Sequence, residues 1–256
     1  MNTKPARDGF GEGLLALCQE RPDVIVLDAD VSKSTRTNWI GDRFPKQFFN
    51  MGISEQDMVG TASGLALGGM TPFVATHGVV LSGRAWDQIR TTGCYNNLPV
   101  KFGGAHAGIS VGPDGATHQA LEDIAIMRVL PNMTLLAPCD AEEVRKATIA
   151  AATWPGPVYI RFGREPVPVI TGGNSPFEIG KAVWLRTGGD VAQLHAHAGI
   201  AQSYVLGVCR LGSQRAVQQV LLVEGGVLGD VVQLALELGE LVLQGLTVDA
   251  VLVGVV

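Results

Sequence analysis

Apolar positions along the chain fall into two repeating signatures. Phe10, Leu14, Leu15, Leu17 and Cys18 recur at helical spacing between Asp8 and Glu20, which predicts a helix that Pro22 ends. Val24 to Leu27, VIVL, is a continuous apolar run, the mark of a strand buried on both faces. The alternation then repeats. A short strand is expected over residues 48–51, a helix rich in glycine and alanine over 55–67, and a strand, PFVAT, over 72–76. The next helix is expected over 82–95, with Ile89 inward and Arg84, Asp87 and Arg90 outward, followed by a strand around Val100 in LPVKFGG. Helix (ALEDIAIMR), strand (134–137), helix (140–153) and strand (158–162) complete the series, punctuated by Pro131 and Pro138. This order predicts an α/β fold with a doubly wound, mostly parallel sheet.

Beyond it the pattern changes. PVPVITGGNSP, from Pro166 to Pro176, is rich in proline and glycine and reads as a linker. The expected organisation is a first domain over residues 1–170, a linker over 171–176 and a smaller, shortened or atypical α/β domain over 177–256. Within the last, LLVEGGVLGDVVQLALELGE reads as strand, glycine turn and helix, and VDAVLVGVV as a strand, while residues 193–219 have weak periodicity.

The polar positions concentrate in the connections. The most heavily loaded is AHAGISVGPDGATHQALED, Ala105 to Asp123, with His106, His118, two glycine-rich turns and an Asp114-Gly115 pair. It follows an expected strand, and the carboxyl ends of strands are where an open α/β sheet places its chemistry. DADVSKST, residues 28–35, follows another; its small polar residues suit either a ligand-facing loop or an ordinary helix cap. GISEQ, Gly52 to Gln56, puts Glu55 in the first turn of a helix, where a carboxylate ordinarily serves the helix dipole. Arg161 and Arg164 leave the strand over 158–162 and suit either surface ion pairs or anion binding.

Composition narrows the classes. A net charge of -5 gives no support for nucleic-acid binding, and no run approaches the ~20 apolar residues of a membrane span. MNTKPARDGFGE has no apolar signal core, and Cys18, Cys94, Cys139 and Cys209 show no CxxC spacing, so a cytoplasmic protein with reduced thiols is expected. His195 and His197 lack a third ligand and read as incidental; no metal site is expected in this chain. No GxSxG, HExxH, P-loop or GxGxxG after a strand is present. Histidines with a carboxylate, and no obvious nucleophile, suggest proton transfer around a ligand that brings its own reactivity.

Six segments carry a resemblance. LDADVSKST, FFNMGISEQDMVGTASGLALGG, GRAWDQIR, HAGISVGPDGATHQALEDIAIMR, PNMTLLAPCDAEE and GPVYIRFGREPVP match, in order and spacing, the pyrimidine-binding half of transketolases. More narrowly, the chain resembles the stand-alone C-terminal subunit of split transketolases, over residues 1–190. The resemblance implies a thiamine diphosphate enzyme moving a two-carbon ketol unit between sugar phosphates. It implies that Glu55 is the catalytic glutamate, bonded to the aminopyrimidine and so favouring the tautomer that removes the thiazolium C2 proton. His106 and His118 match the proton-relaying, substrate- and cofactor-facing histidines, and Asp114 a residue that reads a donor hydroxyl. Arg7, Ser34 and Arg164 match positions holding the substrate phosphate, and Asp30 one that lines the cofactor site.

Three departures accompany it. In THGVVLS, His77 and Val80 stand where the family pattern has phenylalanines stacked on the pyrimidine; histidine can still stack, valine gives only apolar contact. FEIGKAVWLRTGGDVA and LLVEGGVLGDV resemble the family's C-terminal domain, but the strand and long helix between them are missing. No GDG motif with a following asparagine is found, so a partner subunit is expected to supply the diphosphate and Mg²⁺ site, in an α2β2 assembly. A catalytically silent partner subunit, a deoxyxylulose-phosphate synthase and a ketoacid dehydrogenase β subunit are the alternatives.

Overall fold

The computed structural model describes residues 2–109, 111–186, 191–196 and 209–210. Strand β1 (Thr3–Pro5) leads into helix α1 (Ala6–Glu20), then β2 (Val24–Asp28), α2 (Ser32–Thr35), α3 (Asn38–Arg43) and β3 (Phe48–Asn50). Helix α4 (Glu55–Leu67) and strand β4 (Thr71–His77) follow. Next come α5 (Gly78–Arg84) and α6 (Trp86–Gln88), with a π-helical turn over Ile89–Cys94, and then β5 (Lys101–Ala105). The series closes with α7 (Asp123–Arg128), β6 (Thr134–Leu136), α8 (Ala141–Ala151), β7 (Val158–Phe162) and β8 (Pro166–Pro168).

Six of these strands form one parallel sheet in the order β3-β2-β4-β5-β7-β6. Within β2, Val24 and Val26 pack into one core and Ile25 and Leu27 into another; in β4, Phe73 and Ala75 oppose Val74 in the same way. Successive side chains of a strand point to opposite faces, so the continuous apolar runs serve two helical layers at once. One layer holds α1 and α8, with Phe10, Leu14, Val144 and Ala147 buried. The other holds α4 and the α5–α6 region, with Met58, Val59, Leu81 and Ile89 buried. Gly9 permits the α1–α8 approach, since a Cβ there would collide with the carbonyl oxygen of Ala141.

Two boundaries differ from the expected ones. The helix expected over 82–95 starts at Gly78 and changes character at Ala85, whose backbone (φ -95, ψ 6) leaves the helical well before the π-helical turn. The helix expected from Ala120 starts only at Asp123, because Ala120 is tied in an antiparallel bridge to Gly108.

Pro166–Pro168, within the proline-rich stretch, pairs antiparallel with β1 as β8. Asp140, the N-cap of α8, accepts from the Glu143 N–H at 2.9 Å and from the Ile170 and Thr171 N–H groups at 2.8 and 2.7 Å. Lys146 donates to the carbonyls of Gly172 and Ser175 at 2.6 and 2.7 Å. Three further strands, β9 (Ala182–Arg186), β10 (Val191–Ala196) and β11 (Cys209–Arg210), form an antiparallel sheet in the order β11-β10-β9. His197 and the elements expected in LLVEGGVLGDVVQLALELGE and VDAVLVGVV lie outside the described residues.

Candidate active site

The residues singled out in the sequence lie at one edge of the molecule, because a parallel sheet carries all its strand exits to the same side. Asp30 follows β2, His77 ends β4, His106 follows β5 and Arg164 follows β7. Glu55 opens α4 beyond β3, and Arg7 lies in the first turn of α1, which enters from that side.

The centre is a group of three imidazoles. The rings of His77 and His106 have centroids 4.8 Å apart, tilted by 42°. His118, in a 3-10 turn (Ala116–His118), meets His77 edge-on at 5.3 Å. His77 and His106 are only 8% and 1% exposed. Burial lowers the pKa of His77, helped by the nearby His118, and takes that of His106 down to about 3, with His77 and Arg7 adding repulsion. Both rings are therefore neutral at neutral pH. His106 Nε2 lies 3.4 Å from the carbonyl oxygen of Ser34, which fixes Nε2 as the protonated nitrogen and leaves a lone pair on Nδ1. Among the described residues, neither that Nδ1 nor either ring nitrogen of His77 has a hydrogen-bond partner.

Cationic groups surround the cluster. Arg7 Nη1 donates to the same Ser34 carbonyl at 3.4 Å, while its buried Nε has no partner. Burial, then the neighbouring Arg36, pull its pKa below the usual guanidinium value. Arg164 Nη1 donates to the Val111 carbonyl at 2.6 Å and to Asp114 Oδ2 at 3.0 Å. That ion pair holds the 3-10 turn Gly112–Asp114 over the imidazoles.

Glu55 is 6% exposed. Its Oε1 accepts from Arg84 Nη1 at 3.2 Å, and the Arg84 side chain is 59% exposed. A buried carboxylate whose side-chain partner among the described residues is a solvent-facing guanidinium can exchange that partner for another donor without unfolding anything. Val80, on α5, is half-buried. Asp30 is exposed, in the left-handed region (φ 64), and accepts from Asn50 Nδ2 at 2.9 Å. Among the described residues, hydrogen bonds and ring contacts join Arg7, Ser34, His77, His106 and His118; Asp114 and Arg164 form a second linked pair, and Asp30, Glu55 and Val80 stand apart from both.

Three supporting residues have roles that the sequence does not predict: it places Arg84 on an outward helix face and Asp28 in a loop that suits either a ligand or a helix cap. Arg84 is separated from Glu55 by 29 residues, with no local spacing to betray the contact. Asp28, at the end of β2, is buried and accepts from the Val31 N–H at 2.7 Å and from the Thr35 and Thr37 hydroxyls at 2.8 and 2.7 Å. It shapes the 28–35 loop from inside. Asp123 is also fully buried, accepting from the Tyr159 hydroxyl at 3.1 Å and Arg161 Nε at 2.9 Å, and so anchors the end of the histidine loop to β7. This accounts for Arg161 as an internal ion pair. Gly104 is required beside it, since a Cβ there would strike the Tyr159 hydroxyl.

A model of the transketolase pyrimidine binding domain matches residues 3–169. The chain is 44% identical over 190 residues to a transketolase C-terminal section from Methanocaldococcus jannaschii, covering 73% of this chain and 60% of that one. It is 39% identical over 186 residues to the 1-deoxy-D-xylulose-5-phosphate synthase of Rippkaea orientalis, covering 71% of this chain and 29% of the synthase. Among solved structures, a split-gene transketolase described as an inactive β4 tetramer superposes with a TM-score of 0.67 at 46% identity, over 74% of this chain and 61% of that one.

Proposed function

The chain belongs to the transketolase family, whose pyrimidine binding domain it carries over residues 3–169, and from this we propose that it is the C-terminal subunit of a split, thiamine diphosphate-dependent transketolase. It would transfer a two-carbon ketol unit between sugar phosphates, in company with an N-terminal subunit. The observation that carries this reading is the gathering at one sheet edge of a buried carboxylate with an exchangeable partner, neutral imidazoles and guanidinium groups. The 44% identity to a C-terminal section supports the division of labour, as does the description of the tetramer made of β chains alone as inactive.

The side chains fit the pyrimidine half of the cofactor. Unpartnered nitrogens of His77 and His106, and a Glu55 carboxylate free to exchange Arg84 for a ring nitrogen, form a polar edge wanting a heterocycle. When bound, thiamine diphosphate supplies a nucleophilic carbon and an electron sink for breaking the bond beside a ketose carbonyl. Glu55 would hold the aminopyrimidine by a charge-assisted hydrogen bond, with His77 and Val80 flanking the ring and Asp30 at its margin. His106 and His118 would hold and move protons at the donor's carbonyl and hydroxyl oxygens. Asp114 would accept from a donor hydroxyl, and Arg7 and Arg164, with Ser34, would grip the phosphate through their forks of donors. The chain has no GDG motif, so the companion subunit would hold the diphosphate and its Mg²⁺, and active sites would form between subunits, in an α2β2 assembly.

The test is co-expression with a companion chain bearing the GDG half, then a two-carbon transfer assay with and without thiamine diphosphate and Mg²⁺. Cofactor-dependent transfer is expected, and Glu55→Gln should lower kcat by about 10²- to 10⁴-fold, the usual range for loss of an acid–base contribution. A stable complex without turnover would favour a second reading, a catalytically silent partner, to which His77 and Val80 at the stacking positions lend support. Formation of 1-deoxy-D-xylulose-5-phosphate in its place would favour the deoxyxylulose-phosphate synthase reading.

A further inference from the structure

The imidazole cluster holds more lone pairs than the protein itself satisfies. Buried polar atoms are almost always hydrogen-bonded, yet among the described residues three ring nitrogens have no partner: both of His77 and Nδ1 of His106. The Ser34 carbonyl commits the Nε2 proton of His106, so Nδ1 is a lone-pair donor. Asp114 closes the group: one ligand atom each from His77, His106 and Asp114 lie within 4.8 Å of one another.

We propose that His77, His106 and Asp114 form a binding site for a divalent transition-metal ion of the Zn²⁺ type, with a fourth position open to water. Two imidazole nitrogens and one carboxylate are a donor set for zinc and its neighbours; Mg²⁺ and Ca²⁺ take oxygen ligands instead. Bonds of about 2.0–2.1 Å to a tetrahedral ion imply ligand atoms roughly 3.3 Å apart, so the cluster must contract slightly. Asp114 can supply the movement. It is exposed, on a turn flanked by Gly112 and Gly115, both at positive φ. Arg164 occupies only its Oδ2, leaving Oδ1 for a metal. Arg7 and Arg164 put positive charge nearby, so affinity must come from nitrogen ligation rather than from a negative field. His118 lies edge-on to His77 at 5.3 Å. The ion would take the side chains that the proposed function gives to cofactor and substrate, so the two exclude one another and the site is read by metal binding alone.

The test uses the full chain, reduced, stripped of metal with a chelator that is then removed, and titrated with Co²⁺ followed by Zn²⁺. One Co²⁺ per chain is expected, with the visible bands of a tetrahedral nitrogen–oxygen site, no thiolate charge-transfer band, and full displacement by Zn²⁺. His77→Phe and Asp114→Asn should each weaken binding at least about 100-fold, beyond the loss typical of an outer-shell substitution. Circular dichroism would show that both variants are folded. The His195→Ala/His197→Ala double variant should bind like the parent. Absence of Co²⁺ binding, undiminished binding by His77→Phe, a thiolate band, or loss confined to the double variant would each overturn the proposal.

Discussion

His106 shows how much one position can carry. It sits in the left-handed region (φ 60), a conformation that costs a non-glycine residue of order 1–3 kcal/mol unless its surroundings impose it. They do: the next two N–H groups, of Ala107 and Gly108, donate to Phe162 and Ala120 at 3.1 and 2.9 Å. The same burial holds the imidazole neutral down to about pH 3 against an ordinary value of 6.5. As pH falls through 6.5, the unfolded chain takes up a proton that the folded chain refuses until about pH 3. Stability is therefore lost across that window, by about 2 kcal/mol per such group between pH 7 and pH 5. Urea melts with a chelator present, at pH 7 and pH 5, should show this loss, and His106→Asn, which tolerates positive φ, should reduce it by that amount. An unchanged difference would contradict the assignment. That His106, Asp114 and His118 belong together was legible because they share one connection; His77 was placed near the cofactor only by the family resemblance, and its ring contact with His106 comes from the pairing of β4 with β5.

At the scale of elements, strand ends divide the work. The carboxyl ends carry the site, while the amino end of β5 carries a structural device. Lys101 is fully buried and donates to the carbonyls of Trp154 and Gly156, both at 2.7 Å, so it staples the turn after α8 to the sheet. Burial lowers its pKa to about 7. Lys101→Met should destabilise the protein by about 2–4 kcal/mol, because two carbonyls lose their donor and each buried unsatisfied group costs roughly 1–3 kcal/mol. The proposed two-carbon transfer, measured with the companion subunit below the new melting temperature, should be unaffected, since the candidate site lies at the other end of the strand. Periodicity located the elements well where they are buried on one or two clean faces, as in α4 and β4. It failed at Ala85 and Ala120, where a change of helix type and a single bridge to Gly108 override a good helical pattern.

For the whole molecule, the sheet separates two cores, and each contains a thiol. Cys18 lies with α1 and α8, Cys94 in the opposite layer, and burial raises their pKa values to about 11 and about 12. Neither is a usable nucleophile without opening of its layer. Labelling of the folded chain by a thiol reagent, read at these two sites by mass spectrometry, should be slowed by several orders of magnitude relative to the denatured chain. Labelling of both at a rate within about tenfold of free cysteine would mean that the layers open far more easily than close packing implies. Among the described residues, no helix is long and apolar enough to cross a membrane.

The sequence by itself determined the layered α/β architecture, because apolar runs of strand length alternating with helical repeats can bury their faces only around a parallel sheet. It also pointed to the connections that hold the candidate site, since histidine, aspartate and glycine cluster there in one loop. The tertiary structure alone decided the contacts between distant residues: Arg84 on Glu55, Arg7 and His106 on one Ser34 carbonyl, Asp123 beneath Arg161, and the ring contacts of His77 with His106 and His118. The physical reason is that periodicity reports the environment of each residue, solvent or core. Which side chains meet at the sheet edge depends on strand order and register, and no local pattern encodes those.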